Sequence, residues 1–489
     1  MSEILTLEDI ADDLDTDTED LLALMAWREG NLEYLLKPVQ RLIRDKIFSR
    51  DDFKYFIKCS RRLGKSFLLC CLAFETCIRK PGARVRYGTG TLDSLREIVE
   101  PIMGILIERS PPQYRPEYIP SRKRYVFPQD SVIVTTGLDI KPDRLRGPWC
   151  DLFIIDEGGH VERLKYLISD IALPQFLDVN NKIVKGRKLI VAGTPPRTPA
   201  HDFTELCQKA EMEGNYFHAT IYEAGYPEET IKIFCEEAGG PESSTWRREY
   251  LAQDVVDENY AIIPEWSEDY VQEPHVDEFF PLYLKYDSLD IGVRDNTVLE
   301  LAHYDFKKGI LYFHDEFWIS GPKMTTKIVA DGTKEIEARV WGTHKVTKRI
   351  SDIELLLIND LSILHGLSFI PTDKGYLEEM VNEVRIWVRD GRIRVSPKCK
   401  QLLGCLRYGV WNERRTDWER VDVYGHFDAL ASAMYLIRNV DSQFNPIPRN
   451  YGKREEDSWL APEENQDAKL ARAFGKARLL SGKARYRKF

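Results

Sequence analysis

Gly64, Lys65 and Ser66 stand between a β-type run, YFIKCS, and an apolar helical run, FLLCCLAF. That order of strand, glycine, lysine, hydroxyl and helix is what a phosphate cradle needs. Backbone N–H groups around the glycine and at the helix N-terminus face anionic oxygens, the lysine neutralises them, and the hydroxyl can ligate Mg²⁺. The full loop pattern has an earlier glycine, and CSRRLGKS carries Cys59 in its place. The backbone argument survives that change. Ser60, Arg61 and Arg62 complete the loop. A GKS triplet alone is usually chance, but the flanking strand and helix make this one more specific.

DLFIIDEGG supplies a second half. Four apolar residues read as a buried strand, and two carboxylates emerge at its C-terminal end, where α/β sheets place their sites. Asp156 is expected to hold the Mg²⁺ through water and Glu157 to polarise the attacking water. The plainer reading is a helix start carrying favourable acids. A third strand, KLIVAGTP, ends in Gly193, Thr194 and Pro195, where a polar residue can sense the γ-phosphate. Gln40, in KPVQRLI, offers an amide that can read adenine, although a lone glutamine is more often a surface residue.

Three further acids sit at element ends. Asp290 closes the strand YLKYDSLD, Asp352 follows the strand HKVTKRIS, and Asp428 opens the apolar helix DALASAMYLIRN. Two-metal phosphodiester hydrolysis needs carboxylates from separate elements to hold Mg²⁺ or Mn²⁺ about 3.5–4 Å apart. Taken singly, each acid reads as a solvated turn residue, and the chain has 79 acids to choose from. Asp373 rivals Asp352, since it also follows a strand. Asp287 and Asp295 are weaker rivals of Asp290. His426 either orients Asp428, contacts phosphate, or is a plain helix-entry residue.

These residues need two scaffolds. The chain has 489 residues, and single cores rarely exceed roughly 250–300. Residues 1–253 read as N-terminal helices followed by an alternation of strands and helices, which predicts a parallel sheet covered by helices. Residues 254–280, irregular and containing Pro264 and Pro274, read as a hinge. Residues 281–440 form a second β-rich unit, and residues 441–489 a flexible tail ending in the basic run GKARLLSGKARYRKF. No internal repeat is seen. Nine scattered cysteines lack a zinc or disulfide framework and read as reduced thiols of a cytosolic chain. No signal peptide or membrane span is expected. The net charge of −10 argues against a surface coated for nucleic acid, but local clusters can still bind it.

CSRRLGKS resembles the deviant phosphate loop of the large terminase subunits of tailed bacteriophages. KPDRLRGPWCDLFIIDE, GTP and KPVQRLI are similar to that family's Arg-Gly segment with its carboxylate strand, its coupling motif and its adenine motif. GLSFIPTDKGYLEEMVNEVR, RIRVSPKC and GHFDALASAMYLIRN are similar to its nuclease domain. The resemblance covers roughly residues 35–440. It implies an ASCE-type P-loop ATPase followed by an RNase H-like nuclease. It implies ATP bound by Gln40, Ser60, Arg61, Arg62, Gly64, Lys65, Ser66, Asp156 and Thr194, with Ser66 and Asp156 on its Mg²⁺. Glu157 and an arginine finger, Arg61 or Arg62, would be catalytic, with Arg144 and Arg146 as further nucleotide contacts. Asp290, Asp352 and Asp428 would hold two Mg²⁺ or Mn²⁺, with Asp373 as the alternative to Asp352. The implied partners are double-stranded DNA, a procapsid portal, a small terminase subunit and four further copies in a five-membered ring, in the host cytoplasm. The family usually has a small residue such as alanine after Asp-Glu, where this chain has Gly158. A helicase or repair ATPase fused to a nuclease is the alternative, and no second ATPase domain is found for it. An assembly protein with a decayed site is a third reading, opposed by intact Lys65, Asp156 and Glu157.

Overall fold

The computed structural model describes residues 16–138, 142–292, 295–421 and 423–448. The basic tail from residue 449 on, the first 15 residues and the side chain of Arg144 lie outside the described residues. Two sheets organise the chain. The first holds eight strands: β1 Lys54–Cys59, β2 Arg84–Thr89, β3 Glu117–Ile119, β4 Arg124–Val126, β5 Val132–Gly137, β6 Leu152–Ile155, β7 Lys188–Gly193 and β8 Tyr216–Ala219. Their order is β3-β4-β5-β2-β6-β7-β1-β8. Strands β5, β2, β6, β7, β1 and β8 are parallel, as the alternation of elements predicts. Strands β3 and β4 add an antiparallel edge that the sequence pattern does not announce. Only three residues long, each is too short to display a period.

The central strands are buried on both faces, so they read as continuous apolar runs. On one face lie the helices Thr16–Glu29, Pro38–Ser49, Lys65–Arg79 and Glu100–Arg109, with Trp27, Ile43, Phe74 and Met103 in the core. On the other, Asp202–Glu213 and the turns around Leu164–Phe176 cover Phe153, Leu189 and Val191. Cys70 and Cys71 are buried, as expected of core thiols.

A charged pair crosses the first core. Glu75 is fully buried and accepts from Arg44 Nε at 3.0 and 3.1 Å and from Leu32 N at 2.5 Å. Removing Arg44 strands the Glu75 charge, which costs about 3–5 kcal/mol, whereas Arg44 itself also pairs with Asp45 at 2.5 Å. Arg44→Ala should therefore lower the denaturation midpoint of the first unit sharply, whereas the paired change of Glu75 and Arg44 to apolar residues should recover most of it. An Arg44→Ala protein that denatures with the parent would show that the Glu75 charge is relieved elsewhere.

The second sheet has six strands: β9 Leu284–Asp290, β10 Asn296–Asp305, β11 Ile310–Ser320, β12 Lys348–Ser351, β13 Ile370–Pro371 and β14 Ile393–Val395, in the order β13-β12-β9-β10-β11-β14. Strands β9, β10 and β11 form an antiparallel meander; β12, β13 and β14 pair parallel to their neighbours. Helices Leu377–Arg389, Lys400–Tyr408 and Asp428–Asn439 cover one face, and Thr326–Val340 with Leu355–His365 the other. The stretch at 254–280 is irregular, as the sequence suggests, yet it is tied to the second unit. Val271 bridges to Val395, and Ile262 N donates to Gly409 O at 2.9 Å. The two units meet directly where Arg197 pairs with Glu413 at 2.6 Å and Thr198 Oγ1 donates to Tyr408 O at 2.7 Å. No helix among the described residues is long and apolar enough to cross a membrane.

Candidate functional site

The loop after β1 turns into the helix Lys65–Arg79 through Gly64, whose φ of 87° suits glycine. Arg62 also takes a left-handed φ, 66°, so the loop is held bent at two points. Lys65 Nζ donates to the carbonyls of Cys59 and Ser60, at 3.2 and 2.8 Å. Burial lowers the lysine pKa, opposed by the charges of Asp156, Glu249 and Glu157. The Ser60 hydroxyl is buried without a hydrogen-bond partner. A cluster of N–H groups, a lysine and an orphaned hydroxyl fits the phosphates of a nucleotide. Arg61 and Arg62 have exposed side chains; Arg61 N donates to Glu249 O at 2.7 Å.

Gln40 lies against this loop. Its Nε2 donates to the carbonyls of Leu63 and Gly64, at 3.1 and 2.9 Å, and its Oε1 accepts from Lys37 N at 2.9 Å. Its amide braces the phosphate loop, so reading adenine would require exchanging those bonds. Arg146 is tied within its own segment, to Asp143 at 2.7 Å and to the Asp170 carbonyl at 3.0 Å.

Asp156 and Glu157 leave the end of β6, separated from β1 by β7. Asp156 is almost fully buried; it accepts from Tyr87 Oη at 2.9 Å, and Ser66 lies beside it. Burial, and then the neighbouring Glu157 charge, raises its pKa. Glu157 takes a left-handed φ of 58°, a strained conformation that persists only where surrounding packing imposes it. The packing is visible in the next residues. A Cβ at Gly158 would lie 2.8 Å from Val191 Cγ1, and one at Gly159 would lie 2.2 Å from Thr194 O. The carboxylate turn and the Gly193–Thr194 turn are thus pressed together, which explains glycine at 158.

The second centre gathers at one end of the second sheet. Asp290 ends β9, and β12 runs parallel beside it with Ser351 opposite Leu289, so Asp352 emerges next to Asp290. Asp428 opens the helix Asp428–Asn439 after Phe427, whose φ is 56°. Its Oδ2 accepts from Asn296 N at 2.8 Å, at the start of β10. All three carboxylates are buried. Burial holds the Asp290 pKa well above the usual range, and the charges of Asp428 and Asp352 push it further. Burial likewise raises Asp352, and lifts Asp428 to about 7.

The rivals separate cleanly. Asp287 is three residues before Asp290 on a strand and so points to the opposite face. There it accepts from Trp341 Nε1 at 2.9 Å, away from the centre. Asp295 stays near Asp428 but pairs with Arg420 at 3.0 Å. Asp373 is exposed just beyond β13, while its neighbour Lys374 reaches within 3.8 Å of Asp352. The His426 ring turns to the Trp418 carbonyl at 2.9 Å, and its backbone supports Asp428. Tyr87, Tyr435 and Lys374 join the two centres without having been singled out by sequence. Tyr435 lies beside Asp290. It lies seven residues after Asp428 on one helix face, a spacing that would have pointed to it.

The donor set is oxygen only, which suits hard cations such as Mg²⁺ and Mn²⁺. Burial and mutual repulsion favour the protonated form of these three carboxyls, and such cations would stabilise the charged form instead. Among the described residues, no group of three or more His, Cys, Asp or Glu side chains stands ready-made to hold a metal ion. The fit therefore rests on donor chemistry and charge.

No protein-family model matches this chain, and no curated protein matches it. Solved structures do. The large terminase of bacteriophage HK97 is similar at a TM-score of 0.50 and 16% identity, over 82% of this chain and 94% of that one. The large terminase from a thermophilic bacteriophage matches at a TM-score of 0.36 and 17% identity, over 86% of this chain and 98% of that one. The nuclease domain of the bacteriophage SPP1 large terminase, with bound Mn, matches at 0.27 and 17%, over 34% and 94%. The HK97 likeness shows the fold, a mixed α/β architecture.

Proposed function

We propose that this chain is the large subunit of a viral DNA-packaging terminase, an ATPase that drives double-stranded DNA into a procapsid and an endonuclease that cuts the concatemer. The observation that carries this reading is the presence of both centres in one chain. Support comes from Gly64, Lys65 and Ser66 and from Asp156 and Glu157, which follow the C-terminal ends of parallel strands, and from three buried carboxylates at element ends of the second sheet. The fold shared with the HK97 large terminase supports it.

In this reading Lys65, Ser60 and the loop N–H groups bind the ATP phosphates. Ser66 and Asp156, side by side, would hold Mg²⁺, and Tyr87 fixes the Asp156 carboxylate. Glu157 orients and deprotonates the attacking water, and Arg61 or Arg62 steadies the charge that develops on the γ-phosphate. Thr194 lies against the Glu157 turn and passes the change onward, towards Arg197 and Thr198 at the joint between the units. Gln40 couples the adenine side to the loop.

In the second unit Asp290, Asp352 and Asp428 would hold Mg²⁺ or Mn²⁺, with Asp373 the alternative to Asp352. Such cations, when bound, supply Lewis acidity towards water and the leaving oxygen. The protein's part would be to keep three carboxylates buried at one end of the sheet, with Asp428 held by the Asn296 N–H. We infer as partners a portal, a small terminase subunit and further copies in a ring of about five, acting in the host cytoplasm.

The test is packaging in vitro with ATP, linear DNA and portal-bearing procapsids. DNA should become nuclease-protected only when all three are present. ATPase activity that DNA stimulates but procapsids never convert into protected DNA would favour a helicase-type enzyme instead.

A further inference from the structure

Asp373, Lys374 and Gly375 leave the sheet edge beside the carboxylate centre. Thr372 N donates to Ser351 O at 2.7 Å, next to Asp352, and Asn439 Nδ2 donates to Thr372 Oγ1 at 3.0 Å. The loop is therefore pinned both to β12 and to the helix that begins with Asp428. Lys374 Nζ lies 3.8 Å from Asp352 Oδ2 and 5.4 Å from the centroid of the Tyr435 ring, the same tyrosine that lies beside Asp290. At 3.8 Å the ammonium is within Coulombic reach but beyond a good hydrogen bond. The Lys374 side chain is 37% exposed against 6% for Asp352, so it bridges a buried anion and solvent. A Cβ at Gly375 would lie 2.8 Å from Arg438 Nη1, so the glycine lets a second cation approach the same loop, with Glu379 beside it.

A phosphodiester approaching three carboxylates meets repulsion, which a mobile point charge on a flexible stem can offset. We propose that Lys374 is a phosphate-binding residue of this centre, paired with Asp352 before divalent cations bind and turned to the DNA backbone once they have. The proposal rests on the nuclease reading above. Its long, half-exposed ion pair gives up little on release. Lys374 thus competes with the cations but assists the substrate, and removing it has effects of opposite sign on the two. Arg438, across Gly375, is a second cation beside the same loop.

Lys374→Ala and Lys374→Arg, in the full chain, test this. Calorimetric titration with Mn²⁺ alone should show Lys374→Ala binding the ion roughly two- to fivefold more tightly than the parent. Cleavage of a linear duplex at saturating Mn²⁺ should fall in kcat by roughly 10²-fold, and Lys374→Arg should restore part of it. A lysine that merely supports the loop would not tighten metal binding. Mn²⁺ affinity that is unchanged or weaker overturns the proposal, and so does parental cleavage by Lys374→Ala. Failure of the nuclease reading looks different. There the parent itself does not cut DNA, and the Mn²⁺ titration alone decides whether Lys374 pairs with Asp352.

Discussion

Lys65→Ala should abolish ATP hydrolysis and leave metal-dependent DNA cleavage at the parental rate. The lysine sits at the N-terminus of the helix Lys65–Arg79, held by the carbonyls of Cys59 and Ser60, and faces Asp156 and Glu157. Its role towards the γ-phosphate is electrostatic and grows in the transition state. Loss of one such preorganised donor is worth roughly 10²–10³-fold in kcat, and weakened phosphate binding adds to that. Glu157→Gln should separate the steps. It keeps the side-chain shape and the bent backbone at 157, so ATP still binds, but the water loses its base. Steady-state ATPase and plasmid digestion should be measured on the same preparations. Normal hydrolysis by Lys65→Ala would remove the phosphate-loop assignment, whereas loss of both activities together would point to unfolding.

Asp428→Asn should collapse DNA cleavage while ATPase persists. The amide oxygen of asparagine can still accept from Asn296 N, the bond that Asp428 makes at 2.8 Å, so the helix start keeps its anchor. The lost charge at the helix N-terminus is a minor effect, about 0.3–1 kcal/mol. What disappears is one of the three carboxylates that the proposed function assigns to the cations. Lewis-acid stabilisation is worth several kcal/mol of barrier, so cleavage should fall by roughly 10³-fold or more. Asp290→Asn should behave alike. Asp352→Asn and Asp373→Asn, made separately, decide the remaining ligand. The structure favours Asp352, which is buried beside Asp290, over the exposed Asp373. Plasmid digestion with Mg²⁺ or Mn²⁺ is the measurement. If Asp428→Asn and Asp290→Asn both cut like the parent, the nuclease centre lies elsewhere.

Local chemistry was legible from the sequence wherever function sits in contiguous residues. The loop CSRRLGKS and the run DLFIIDEGG announce themselves because a phosphate cradle and a strand-end carboxylate pair are each built from one strand and the turn after it. The parallel character of the first sheet followed from runs such as LFII and KLIVAG, which only a doubly covered sheet can bury. The period of two along β9 already separates Asp287 from Asp290, though it does not say which face holds the centre. Family resemblance, rather than local pattern, singled out Asp290, Asp352 and Asp428 among 79 acids.

Tertiary structure decided everything that depends on which strands are neighbours. Strand β2 lies beside β6 although β3, β4 and β5 separate them in the chain, and this brings Tyr87 to Asp156. The insertion of β7 between β1 and β6 sets Thr194 against the Glu157 turn and makes Gly158 and Gly159 necessary. Strand β13 beside β12 carries Lys374 to Asp352 and leaves Asp373 outside. Gln40 reads from the sequence as an amide for adenine, and the fold places it against the phosphate loop, bonded to the Leu63 and Gly64 carbonyls. The physical reason is common to all of these. Hydrophobic periodicity fixes which face of an element is buried, but the partner across that face is chosen by the packing of the whole sheet, and a buried carboxylate takes its properties from that partner.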